Sequence, residues 1–183
     1  MKNEIAFKDM TPKQAKEYFE QYTGQIEIHL KNLKNEVCSE VGDMNFDYSP
    51  ESLIPLWSWY EKKIELEEKS EDEMLEEAKR YPEWMHAYLG QTKISLQTLR
   101  YCLEVALYFA EVIIRNCNGK IYWGYFTRPK NRMSVNEPTL LGFKGKMDLE
   151  PRLVVLNCTR RSSKETLNTR LYDMYYIWMK YVE

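Results

Sequence analysis

A chain of 183 residues, 44% hydrophobic and 14% aromatic, can bury one sizeable core, and with only seven Gly and seven Pro it has no low-complexity tract. Its formal net charge of −2 hides an uneven split: residues 1–100 carry 13 Lys/Arg against 20 Asp/Glu, and residues 101–183 carry 13 against 8. These features exclude a solenoid, and with no apolar leader in the first residues and the longest apolar run broken by Glu104 and Glu111, a cytoplasmic protein with no membrane partner is expected.

Thr11-Pro12 is a cap followed by a first-turn proline, and Ala15, Tyr18, Phe19, Tyr22, Ile26, Leu30, Leu33 and Val37 keep helical spacing to about Glu40. Ser49-Pro50 repeats that signal before Leu53, Leu56, Trp57, Tyr60 and Ile64. Ser70 and Glu73 form a capping box for a short helix that must stop before Pro82, and Trp84, Met85, Tyr88 and Leu89 make an aromatic connection.

The segment Ser95 to Cys117 predicts a helix apolar almost all round. Leu96, Leu99, Leu103, Ala106, Phe109, Ala110, Ile113, Ile114 and Cys117 share one side, and Arg100, Glu104, Glu111 and Arg115 form a polar seam within about 60° on the other. Such a helix must be wrapped by the rest of the chain. Its seam is either an internal ion-pair lattice or the floor of a site.

After the stop signal Asn118-Gly119 the period changes, and strands are predicted at about 120–127, 139–143 and 152–158. A second capping box, Ser162 to Glu165, announces a last helix carrying Leu167, Leu171, Met174, Tyr175, Trp178 and Val182 on one stripe. The expected fold is α+β: about five helices around the central helix 95–117, with a small, mainly antiparallel three-stranded sheet. One domain is expected, helical over about 1–117, with a strand-and-helix part over about 118–183.

Little here assembles into chemistry. His29 and His86 have no second ligand at metal spacing, the four cysteines stand singly, and Cys102 and Cys117 lie about 22 Å apart along one helix, too far to bridge. Gly142-Phe-Lys-Gly-Lys146 lacks the spacing of a phosphate loop, and no metal or cofactor is expected. Two acids on one helical face, Glu104 and Glu111, suit acid–base work, yet Arg100 and Arg115 each stand four residues away to neutralise them.

Two surfaces suit partners better. Residues 61–77 hold nine carboxylates against three lysines, and Glu67, Glu68, Asp72 and Glu76 are candidates for steering onto a basic protein. Trp123, Tyr125 and Arg128, with Lys130, Arg132, Arg160, Arg161, Lys164 and Arg170, interleave aromatic and basic groups as single-strand binders do, but in a slightly acidic chain nucleic acid is not the expected partner.

Three stretches carry a resemblance: Tyr48-Ser-Pro-Glu-Ser-Leu-Ile-Pro-Leu-Trp-Ser-Trp-Tyr60; Ala106 to Asn116 leading into Trp123-Gly-Tyr-Phe-Thr-Arg-Pro-Lys130; and Asn136-Glu-Pro-Thr-Leu-Leu-Gly-Phe143. Together they resemble small cytosolic proteins of Gram-positive bacteria of the toxin-immunity type. The resemblance implies a non-enzymatic, protein-binding role with a toxin domain as partner, and it transfers no site residues. The alternative is a small-ligand-binding module or hydrolase using Glu104 and Glu111.

Overall fold

The structure, a computed structural model, describes residues 5–162 and 165–182. Helices α1 (Pro12–Gly24) and α2 (Ile26–Val41) follow end to end. Thr11 caps α1 as read, with Gln14 closing the box in return. The single helix expected to Glu40 breaks at Gln25, next to Gly24, whose missing side chain weakens the helix there.

Helix α3 (Leu53–Glu61) follows a single 3-10 turn over Pro50–Ser52 and buries Leu53, Leu56, Trp57, Trp59 and Tyr60. Strand β1 (Leu66–Glu68), helix α4 (Glu71–Ala78), a 3-10 turn at Glu83–Tyr88 and strand β2 (Thr92–Ile94) make one excursion, closed by the antiparallel pairs Leu66 with Ile94 and Glu68 with Thr92. The β1–β2 pair was not foreseen, because three-residue strands carry too few residues to show alternation.

Helix α5 (Leu96–Asn116) is the central helix, and α2, α3, α6 (Pro151–Ser162) and α7 (Arg170–Met179) all pack on it. Val105, Ala106, Phe109, Ala110, Val112 and Ile113 are at zero exposure. The wrapping is incomplete at its start: Leu96 and Leu99 are exposed and Leu103 is half-buried, so that end of the apolar face looks into a cleft.

Strand β3 (Tyr122–Gly124) pairs antiparallel with β4 (Thr139–Leu141). Gly142, at φ +106°, follows β4 at the open end of this ladder, where the backbones run so close that an added Cβ would stand 2.0 Å from the Lys120 carbonyl oxygen. The third strand expected at 152–158 is instead helix α6. Val154 and Val155 favour a strand locally, but Pro151 starts a helix whose buried residues, Pro151, Val155, Cys158 and Thr159, keep helical spacing against α5. Among the described residues there are therefore two sheets of two strands each.

The last helix begins at Arg170, not after Ser162. Ser162 ends α6 and its hydroxyl donates to Glu61 Oε1 at 2.6 Å, while residues 163 and 164, and with them the candidate Lys164, lie outside the described residues.

Candidate functional site

Residues 65–94 form an arm. None of them belongs to the core, and α4 and the following 3-10 turn bury no residue. The arm is held by its own polar contacts: Lys69 Nζ donates to Glu77 (2.5 Å) and the Gly90 carbonyl (2.7 Å), Lys93 pairs with Glu67 and Glu73, and His86 Nε2 sits 3.0 Å from the Ala78 carbonyl. The Lys93 contact lowers the Glu73 carboxyl below its ordinary range. What it displays is aromatic and acidic together: Trp84 is 73% exposed and Tyr88 82%, on a segment with nine carboxylates against four Lys/Arg.

Glu67, Glu68, Asp72 and Glu76 are all exposed on this arm, two on β1 and two on α4. Glu67 pairs with Lys93 at 3.3 Å and Glu76 with Lys79 at 2.5 Å. Trp123 and Tyr125 are placed otherwise. Trp123 packs edge-on against Tyr22 with ring centres 5.6 Å apart, and Tyr125 against Phe19 at 4.9 Å, so both anchor the β3 region to α1. Arg128 is exposed beyond them. The basic groups do not form one face: Arg132 is bound to Asp148 and stacked 3.9 Å over Phe126, and Arg170 is buried with its guanidinium donating to the Glu165 carbonyl.

The polar seam of α5 is filled by ion pairs, and its first half faces α2. Arg100 holds Glu36 at 2.8 and 3.0 Å and Glu104 at 3.4 Å, and Glu104, only 1% exposed, lies 3.7 Å from His29 Nδ1. Burial is the main cause that raises the Glu104 carboxyl, with Arg100 opposing it. Two turns on, Arg115 holds Glu111 at 3.3 Å and stacks 3.6 Å over Tyr48, while the Trp123 indole N–H reaches Glu111 at 3.5 Å. Each acid thus has its own arginine, as the four-residue spacing requires.

The cleft has a volume of about 960 Å³ and runs between α1–α2 on one side and α5–α6 on the other. Tyr18, Tyr22 and His29 line one wall, Leu99, Leu103 and Leu107 the floor, and Leu153 and Leu156 the opposite wall. Neither Glu104 nor Glu111 lines it. Its polar end holds Glu137, Asp148, Glu150 and Arg152, with Arg152 Nε 3.0 Å from Glu150 and its Nη2 3.9 Å from Glu137. Burial first, then the neighbouring Glu150 carboxyl, push Glu137 up to about 7.

No family model matches the chain, and no curated protein or solved structure does so. The site therefore rests on its own geometry.

Sequence reading missed Glu137 and Glu150. The signal was present as two Glu-Pro dipeptides, Glu137-Pro138 and Glu150-Pro151, in which the proline holds the preceding residue extended, but nothing local says that the two meet. An antiparallel bridge between Leu140 and Leu149, with backbone hydrogen bonds of 2.7 and 3.0 Å, brings their two segments together, and buried Asn136, at φ +64°, donates to the Phe7 carbonyl at 2.7 Å and ties its loop to the chain before α1. Cys102 also lines the cleft, but burial pushes its thiol up to about 11, so it is not a thiolate nucleophile at neutral pH. Among the described residues no group of three or more His, Cys, Asp and Glu is placed to hold a metal ion, and no helix is long and apolar enough to cross a membrane.

Proposed function

We propose that this protein is a non-enzymatic, cytoplasmic binding protein whose 65–94 arm docks on a basic protein, with a toxin domain that it neutralises as the partner class. The observation that carries this reading is the arm itself: about thirty residues that add nothing to the core yet hold Trp84 and Tyr88 in water amid surplus carboxylates. Exposed aromatic side chains offer large anchoring area, and surrounding charge steers association. The resemblance to immunity-type proteins in the three stretches given above points the same way.

The test is capture from the native cell on immobilised full chain. A basic protein should be retained by the wild type and lost with W84A/Y88A, and charge reversal at Glu67, Glu68, Asp72 and Glu76 should slow its association by about tenfold or more at low salt. Undiminished capture by both variants, each folded by circular dichroism, would remove the arm from the function. A hydrolase built on Glu104 and Glu111 has less support, because each acid faces its own arginine and neither lines the cleft.

A further inference from the structure

The cleft takes no part in docking by the arm, and the charges at its polar end do not balance. Arg132 is occupied by Asp148 and the Lys146 carbonyl, and Arg152 by Glu150 at 3.0 Å. Glu137 has Arg152 only at 3.9 Å and otherwise shares a side-chain hydrogen bond with the Glu150 carboxyl. Three carboxyl groups therefore face two guanidinium groups, and the surplus sits on Glu137. Tyr18 and Tyr22, with ring centres 6.3 Å apart and nearly parallel, line the cleft at this end, and Tyr22 also lines a small recess shared with Glu137. Away from it the lining is mainly leucine from α5 and α6, with His29, Asn157 and Trp178 among them.

We infer that the cleft is a binding site for a small amphipathic amine, its ammonium group on Glu137 beside the two tyrosines and its apolar tail along Leu107, Leu103 and Leu99. A cation is selected because it supplies the charge the carboxyls lack, and tyrosine faces attract it further. A carboxylate head would meet Glu137, Glu150 and Asp148 instead. The tail is selected by the leucine floor, where Leu99 to Leu107 on the one helix α5 span about 12 Å at the helical rise. The volume falls within the range of small-ligand sites.

Binding is linked to protons. The groups that face Glu137 are Tyr18 and Tyr22 from α1, Asp148, Glu150 and Arg152 from the opposite side, with His29 further along α2. With its carboxyl near 7, an ammonium group that settles on Glu137 displaces a proton, and affinity rises with pH across neutrality.

Isothermal titration of the full chain with octylamine, octanoate and octanol, at pH 8 and pH 5.5, tests this; octylamine stays protonated throughout. Octylamine should bind at pH 8 at least about tenfold more tightly than octanoate, and should weaken by about thirtyfold at pH 5.5, the ratio of ionised fractions for a carboxyl near 7. Octanol should bind equally at both. E137Q should bring octylamine down to octanol while keeping octanol affinity, E137D should restore the preference for the amine, and H29Q should leave the pH dependence in place. Octanoate binding as tightly as octylamine, a pH dependence that survives E137Q or disappears in H29Q, or no saturable binding of any of the three would overturn the assignment.

Discussion

Glu137 and Glu104 show how one residue type behaves in two settings. Both carboxyls are raised mainly by burial, but Glu104 has Arg100 at 3.4 Å, whereas Glu137 has a second carboxyl beside it and Arg152 only at 3.9 Å. A carboxyl raised in the folded state contributes stability in full below the ordinary carboxylate range and loses it as pH rises through the folded value, here about 7. Glu137→Gln, which stays neutral, should therefore raise the melting temperature at pH 8 and leave it unchanged at pH 4.5, as thermal melts at the two pH values will read. Removing the partner of a buried charge acts in the opposite direction: Arg100→Ala leaves Glu104 with only His29, 3.7 Å away, and because Arg100 is itself partly exposed the expected loss in urea unfolding at pH 7 is about 1–2 kcal/mol.

At the scale of elements, the arm and α5 are extremes. The arm's ends meet across a backbone hydrogen bond from Ser95 N–H to the Glu65 carbonyl at 3.0 Å, so the segment between Leu66 and Ile94 can be replaced by an Asn-Gly turn without moving either end. That variant should keep the fold, with a melting temperature within about 4 °C of the parent, and should lose the basic partner, because the arm adds no core residue. In α5 the reverse holds. Phe109→Ala, at a site of zero exposure in the centre of the helix, is expected to cost about 4 kcal/mol. The open end of the β3–β4 ladder is intolerant for another reason: Gly142→Ala both strains a positive φ and drives Cβ into the Lys120 carbonyl, so a loss of about 2 kcal/mol or more is expected in urea unfolding.

Across the whole molecule, these differences predict a gradient of local stability. Amide exchange should be fastest in residues 65–94, which are held mostly by exposed ion pairs and a short two-stranded ladder, and slowest in α5, whose amides open only with the core. Exchange as slow in the arm as in α5 would mean that the arm is packed and not presented. The cleft sits between these extremes, with one wall on each of two helix pairs and its floor on the most protected element.

Much of this was legible in the sequence where the cause is local. The caps at Thr11, Ser49 and Ser70, the stop at Asn118-Gly119, and the Arg–Glu spacing of four in the seam all depend on neighbours within one turn, and all appear in the structure. Where local preference and packing disagree, packing wins. Val154 and Val155 prefer a strand, but α5 offers a helical face to bury against, and residues 152–158 are helical. The candidate surfaces divide along the same line. The acidity of 61–77 was visible, but whether Trp84 and Tyr88 or Trp123 and Tyr125 would face water depends on whether a second element covers them, and α1 covers only the latter. The meeting of Glu137, Glu150 and Arg152 is likewise tertiary, because an ion pair across a cleft has no period in the sequence that could announce it. The chain alone thus determined a buried central helix with a self-neutralised seam, since both follow from a 3.6-residue period. Only the folding of α1, α2 and α6 around that helix decided that its leucine face stays partly open, and so that the molecule has a cleft at all.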